Sequence, residues 1–173
     1  MKRFLICLLA GFAVFCLSCK STASSGGDSN GSNGVVISGE VTQEKVNDAL
    51  GQIYDNYRAS LDLTNAQTYT VVYGDTLSAI TRRFYGSLTN VGESGPSNGF
   101  YFPVIMAASG HTIVDPDFIQ PGMHLTIPDL RRNLDSSESR KAIKECLNDV
   151  SYVYNRKGVK ETEEGLKRLA NSL

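Results

Sequence analysis

Apolar residues between positions 42 and 61 recur at spacings of three and four, which is the period of an amphipathic helix. Thr42 stands just before this stripe and is suited to cap the N-terminus of the helix. The tyrosines of the stripe fit a packed core face better than an aromatic binding surface. A short apolar patch, Val35 to Ile37, precedes the helix and is interpreted as an edge strand. The stripe consists of Val46, Leu50, Ile53, Tyr54, Tyr57 and Leu61.

The C-terminal part of the chain predicts two further helices. Ser136 or Ser137 can cap the first of them, and Gly158 would end it, since glycine readily takes the left-handed C-cap conformation. Thr162 can cap the second. The inward-facing residues are Ile143, Leu147, Val150 and Tyr154 in the first helix and Leu166, Leu169 and Ala170 in the second.

Between these helical parts the pattern predicts the order strand, helix, helix, strand. Thr68 to Tyr73 and His124 to Ile127 have the composition of strands. Thr76 to Tyr85, with Asp75 as its cap, and Tyr101 to Ser109 have apolar residues at helical spacing. Because two antiparallel strands alone are marginally stable in water, the helices are expected to cover one face of the sheet.

The N-terminus has the build of an export signal. Lys2 and Arg3 form a positively charged start, and Phe4 to Leu17 is an uncharged apolar run. The run has about 14 residues, which is short of the roughly 20 that a membrane-spanning helix needs. A permanent membrane anchor is therefore the less favoured alternative, and residues 1–18 are expected to be a lipoprotein signal peptide.

The expected signal ends in Cys16-Leu17-Ser18-Cys19, which resembles a bacterial lipobox with Cys19 as the acylated residue. Cys16 departs from the leucine usual at its position. The two cysteines also have the C-x-x-C spacing of redox and zinc sites, but they lie in an apolar leader without a folded frame. Because diacylation plus an amide-linked chain exceeds what stable anchoring needs, we expect attachment to a bacterial membrane, facing the periplasm.

Composition limits the remaining classes of function. The 17 basic and 18 acidic residues are balanced, so nothing indicates the clustered basic face that nucleic-acid binding requires. The Ser/Gly-rich residues 19–34 cannot bury enough apolar surface to fold and are predicted to form a flexible tether. Cys146 would be the remaining free thiol of the mature chain, so no internal disulfide is expected.

Two motifs in the middle of the chain resemble the opening and the close of a lysin-motif (LysM) domain. Residues 69–80 read Y-T-V-V-Y-G-D-T-L-S-A-I, and residues 113–128 read I-V-D-P-D-F-I-Q-P-G-M-H-L-T-I-P. Their order and separation match such a domain over Gln67 to Pro128. The resemblance implies a β-α-α-β fold that binds glycans containing N-acetylglucosamine, chiefly peptidoglycan and chitin.

Carried over by position, the glycan would lie between the first strand–helix loop and the last helix–strand loop. The implied site residues are Gly74, Asp75, Thr76 and Leu77 on one side and Ile113, Asp115, Pro116, Asp117 and Ile119 on the other. The helix–helix connection, Ser87 to Phe100, is longer than in compact LysM domains and is expected at the end opposite the groove. Ser109 stands at a position where asparagine is common in LysM domains.

The predicted fold class is therefore α+β, with a two-stranded antiparallel sheet covered by two helices and with flanking helices before and after it. The expected division is a signal peptide (1–18), a tether (19–34), an N-terminal helical extension (35–66), the LysM domain (67–128) and a C-terminal helical extension (129–173).

Catalytic and metal-binding roles are less favoured by the residues. The aspartates of the two groove loops are candidates for paired carboxylates in glycoside cleavage, but aspartate in such loops is more often a cap or turn residue. His111 and His124 have no third ligand at a fitting spacing, so no metal or other cofactor is predicted. Cys146 lies on an apolar helical stripe without an evident histidine partner and is interpreted as a buried structural cysteine.

Three functions stay open at this point. The favoured one is a non-catalytic envelope lipoprotein that links the membrane to peptidoglycan. The second is an interaction protein whose flanking helices dock a protein partner while the LysM domain places it at the wall. The third, a wall hydrolase or its regulator, lacks a recognisable catalytic domain.

Overall fold

The computed structural model describes residues 34–86 and 97–173. The elements are α1 (Gln43–Arg58), β1 (Gln67–Thr70), α2 (Leu77–Tyr85), α3 (Phe102–Ser109), β2 (His124–Ile127), α4 (Leu130–Asp135), α5 (Ser137–Lys157) and α6 (Lys160–Ser172). This arrangement confirms the predicted α+β class and the β-α-α-β order at its centre. Among the described helices, none combines the length and apolar character that crossing a membrane requires. The predicted signal peptide, nearly all of the tether and residues 87–96 of the long helix–helix connection, here called the insert, lie outside the described residues.

The sheet pairs β1 with β2 in antiparallel orientation, as predicted. The first strand is shorter than the predicted Thr68 to Tyr73, because the Val72 amide donates instead to a side-chain oxygen of Asp75, 2.9 Å away. The turn therefore starts while the sequence still looks β-forming. The paired residues are Gln67 with Ile127, Thr68 with Thr126, Tyr69 with Leu125 and Thr70 with His124.

Helix α3 lies at the centre of the molecule. Its sequence, F-P-V-I-M-A-A-S, is almost entirely apolar, and all its residues are buried. A helix that is apolar on every face needs cover on every face. It contacts β2 and α2 from the β-α-α-β unit and α1 and α5 from the flanking parts. The flanking helices α1 and α5 thus pack directly on the β-α-α-β unit.

Helix α1 begins as predicted, with the Thr42 hydroxyl accepting from the Lys45 amide, but it ends at Arg58 and not at Leu61. The Arg58 guanidinium donates to the Ala108 carbonyl at the end of α3. A buried hydrogen bond of 2.5 Å, from the Tyr57 hydroxyl to Asp149, joins α1 to α5. These polar contacts give α1 a fixed position against two other helices.

The predicted edge strand at Val35 to Ile37 is wrong. The segment is extended and buries Val35 and Ile37 while exposing Val36, but it does not join the sheet. The Ile37 amide donates to the Tyr152 hydroxyl of α5 at 3.0 Å. Its alternating burial resembles that of a strand, but the surface that covers the segment is a helix.

Of the two C-terminal helices, α5 has the predicted ends, whereas α6 begins earlier than predicted. Helix α5 has Ser136 as its cap and ends at Gly158 in the left-handed conformation, as expected. The predicted Thr162 cap is wrong, because α6 already begins at Lys160. Its N-cap residue is Val159, whose side chain makes no capping hydrogen bond. The Val159 amide closes α5 by donating to the Tyr154 carbonyl, and its own carbonyl accepts from the Glu163 amide. The two helices thus share a tight connection that leaves Thr162 in the first turn.

Candidate functional site

The two predicted loops meet at the end of the sheet where β1 stops and β2 starts. Between them lies a pocket of about 200 Å³, here called the groove. The groove is lined by Asp75, Thr76, Leu77, Ser78, Phe102, Pro116, Asp117, Ile119 and Tyr154. Most of the predicted site residues therefore come together, although the two loops are separated by the whole of α2, the insert and α3.

The first wall of the groove is built by the turn after β1. The Val71 amide donates to the Met123 carbonyl at 2.9 Å, which holds this turn beside β2. Asp75 was predicted to cap α2, and this is wrong: Thr76 is the cap, with its hydroxyl accepting from the Ala79 amide. The turn therefore presents the Thr76 position and the start of α2 to the groove.

The Asp75 carboxylate closes the turn from inside. It accepts from the Val72 amide at 2.9 Å and from the Tyr69 hydroxyl at 2.7 Å, and Arg83 lies 3.7 Å away. The bond from the Val72 amide, followed by that from Tyr69, lowers the pKa of Asp75 below its ordinary value. The ionised carboxylate of Asp75 therefore stabilises the conformation of the turn through these hydrogen bonds.

Gly74 lies beside the groove and does not line it. Its φ of +86° is a left-handed conformation that residues with a Cβ rarely adopt, although the space around it is open. A side chain here would strain the turn without clashing, so Gly74 contributes backbone geometry.

The second wall is built by residues 113–119. Pro116, Asp117 and Ile119 line the groove. Ile113 and Asp115 do not: their exposed fractions are 1% and 3%, and both support the loop from below. The Asp115 carboxylate accepts from the Asp117 amide at 2.9 Å and from the Gln43 side chain at 2.8 Å.

Ser109, which stands where asparagine is common, lies under the sheet. Its hydroxyl accepts from the Thr126 amide at 2.9 Å and is 3.5 Å from the Thr126 carbonyl. The side chain thus ties the end of α3 to β2, and it does not line the groove.

The groove also contains residues that the sequence did not predict: Ser78, Phe102 and Tyr154. Ser78 directly follows the predicted Leu77 and could have been included by its position in the first turn of α2. Phe102 begins α3, and Tyr154 comes from α5, well outside the LysM match. The Tyr154 and Phe102 rings meet edge to face with centroids 5.9 Å apart. Tyr154 was predicted only as a core residue, and no local spacing connects it to the groove.

The charged groups of the groove are already engaged with one another. Lys157 lies 2.6 Å from Asp117 and 3.2 Å from Asp115. Burial alone would lower the pKa of Lys157, but the hydrogen bond and charge of Asp117 and the charge of Asp115 outweigh it and raise the pKa. Burial, together with the bond to Asp117, raises the pKa of the Tyr154 hydroxyl. The arrangement suits binding of uncharged groups and offers no carboxylate pair poised for acid–base work.

Other candidate chemistry lies away from the groove. Cys146 is buried, and this burial raises the pKa of its thiol above the ordinary value, which disfavours the thiolate. His111 is exposed and pairs with Asp55 at 3.2 Å, while His124 contacts Thr70 on the sheet. Within residues 34–86 and 97–173, no group of three or more His, Cys, Asp or Glu side chains is placed to hold a metal ion.

Comparison with known families agrees with this geometry. Residues 69–128 match the model of the LysM domain, so the chain contains a LysM domain, which is a glycan-binding module. The match spans both groove loops, α2, α3, β2 and the second half of β1. It does not extend to α1, α5 or α6.

One curated relative was also found. Potassium binding protein Kbp of Escherichia coli O6:H1 is 33% identical over 93 residues, which cover 50% of this chain and 55% of that protein. The chain thus spans about half the length of the curated relative it matches. No solved structure matches the chain.

Proposed function

We propose that this protein binds cell-wall glycan containing N-acetylglucosamine, chiefly peptidoglycan, without catalysing a reaction on it. The observation that carries the proposal is the groove between the two loops, both of which lie within the LysM match. The groove offers aliphatic side chains, Leu77 and Ile119, beside the hydroxyl-bearing Thr76 and Ser78. An acetamido sugar presents a methyl group, a carbonyl and an amide N–H, which such a mixture of apolar and hydrogen-bonding groups can bind.

Two features of the groove favour a weak and largely salt-independent interaction. A hydrogen bond to an uncharged sugar contributes only about 0.5–1.5 kcal/mol net, so one small groove is expected to bind with a Kd on the order of 10 μM to 1 mM. The carboxylates of Asp75 and Asp117 are already paired with Arg83 and Lys157. Screening by salt should therefore change the glycan affinity little.

The test is titration of the full chain with N-acetylglucosamine oligomers, followed by amide chemical shifts, together with co-sedimentation with purified peptidoglycan. Shifts are expected at residues 74–78 and 115–119, with a Kd that changes little when salt is raised. Because the relative is named for potassium binding, the titration is run in matched potassium and sodium buffers. Absence of shifts with every oligomer contradicts the proposal, and shifts that potassium alone produces would replace it with cation binding.

Flanking helices that dock a protein partner are the alternative function, and the structure does not favour it. The apolar stripes of α1, α5 and α6 are buried in the chain's own core cluster. Shifts confined to these helices upon addition of wall material would support this alternative.

The proposal includes anchoring to a bacterial membrane at Cys19, in the periplasm, so that the protein links membrane and wall. It rests on the charged start, the apolar run and the lipobox-like end of the segment, all outside the described residues. The intact mass of membrane-extracted protein is expected to show loss of residues 1–18 and an added acyl mass. Cys19→Ser should abolish the modification, whereas the control Cys7→Ser in the apolar run should keep it. A protein that still begins at Met1 and carries no lipid contradicts this part.

A further inference from the structure

Helix α5 reaches the groove from outside the LysM match and contacts its second loop. The Lys157 ammonium lies 2.6 Å from one Asp117 oxygen and 3.2 Å from Asp115. The side chain of Lys157 is only 16% exposed, whereas that of Asp117 is 45% exposed. A charge-assisted contact shielded to this degree is stronger than an ordinary surface ion pair.

Tyr154 makes a second contact from the same helix, one turn earlier. Its hydroxyl donates to the other Asp117 oxygen at 2.7 Å. Its ring packs edge to face on Phe102, and the Lys157 ammonium lies 5.1 Å from the ring centroid. Both carboxylate oxygens of Asp117 are therefore held by α5, and the loop cannot shift without breaking two contacts.

We propose that Tyr154 and Lys157 are positioning residues of the glycan site, which hold the second groove loop in its binding conformation through Asp117 and Asp115. This inference rests on the proposed glycan function and extends the functional unit beyond the LysM match. A loop fixed before binding loses less conformational freedom when the ligand arrives. If only a fraction of molecules has the competent loop, the apparent Kd rises by the inverse of that fraction.

The same contacts set the electrostatic character of the groove. Asp115 is almost fully buried, and its carboxylate contacts the Lys157 ammonium and the Gln43 amide group. Without the ammonium, two neighbouring carboxylates would repel each other under the loop. Among the described residues, Lys157 is the cation that forms an ion pair with both carboxylates, so it opposes a distortion of residues 115–117.

The test compares the full chain with Lys157→Met, Tyr154→Phe and Lys157→Arg. Lys157→Met keeps the aliphatic stem but removes the charge, and the Kd for N-acetylglucosamine oligomers is expected to rise about tenfold as the competent fraction falls. Tyr154→Phe removes one hydroxyl and should raise it about threefold. Lys157→Arg keeps the charge and should return the Kd to within about twofold of the original.

Two controls separate positioning from general stability. Lys141→Met makes the same substitution on the same helix, at a lysine that is 77% exposed and pairs with Glu145 of α5, and it should change nothing. Leu169→Ala truncates a buried side chain of α6 that does not line the groove, and it should lower stability. Measured at a temperature where all variants are folded, Leu169→Ala should keep the original Kd even when its melting temperature is lowered as much as that of Lys157→Met.

Hydrogen exchange of residues 113–119 without ligand gives a second measurement, which does not depend on glycan binding. Faster exchange there in Lys157→Met, with α1 and β1 unchanged, is the expected result. Unchanged exchange and unchanged Kd in Lys157→Met overturn the inference, as does an equal loss of affinity in Leu169→Ala. If the unmodified chain binds no oligomer while Lys157→Met still loosens the loop, the glycan function is wrong and the holding of the loop by α5 stands.

Discussion

Replacement of Gly165 by alanine is expected to destabilise the protein, although alanine is the better helix former. Gly165 lies inside α6, where the Phe100 ring packs directly on the helix backbone. A Cβ at this position would lie 2.1 Å from the ring's Cζ atom and 2.4 Å from both Cε atoms. The ring must leave its place, and we expect this overpacking to lower the free energy of unfolding by about 1–3 kcal/mol.

Gly51 provides a matched control for this prediction. It lies inside α1, and the nearest atom to its added Cβ is the His111 Cε1 atom, at an ordinary 3.9 Å. Gly51→Ala should therefore stabilise the protein by about 0.5–1 kcal/mol, as expected for glycine to alanine within a helix. Denaturant unfolding monitored by circular dichroism measures both effects. In a Phe100→Ala background Gly165→Ala should become stabilising, and a destabilisation that persists there would show that the ring is not the cause.

Replacement of Ile119 by aspartate is expected to produce the largest loss of glycan affinity. Ile119 lines the groove and is half-buried, and Asp117 of the same loop also lines the groove. The substitution removes an apolar contact and adds a second carboxylate to the same wall. Since burial of an isoleucine side chain contributes about 1.5–3 kcal/mol, the Kd should rise roughly 10- to 100-fold.

Val114→Asp is the control for Ile119→Asp, because it places the same charge on the same loop. The Val114 side chain is 51% exposed and does not line the groove. The Kd of the Val114→Asp variant should stay within about twofold of the original, the range typical of surface substitutions. Titration of both variants with N-acetylglucosamine oligomers is the measurement. An equal loss in both would mean that the charge of the loop, and not the groove, determines binding.

Much of the fold could be predicted because its signals are local. The stripe of α1, the capping serine and terminal glycine of α5, and the β-rich run of β2 each lie within one element. The second short helix was likewise predicted close to its observed bounds, but its central, fully buried position was not predicted. The errors occurred where a local signal had competing partners. Val72 belongs to a β-forming run, yet its amide bonds with Asp75 and ends the strand. Thr162 is a good capping residue, but the closure of α5 by Val159 places the helix start before it.

The sequence by itself determined the class of domain and the two loops that form its groove. The residues of those two turns belong to motifs whose order and separation match those of a LysM domain. Only the tertiary structure decided which side chains face the groove. Asp75 turns inward because the Val72 amide and the Tyr69 hydroxyl are its nearest donors. Tyr154 and Lys157 reach the groove because burial of α3 draws α5 against it, and this packing depends on contacts between distant segments that no local pattern contains.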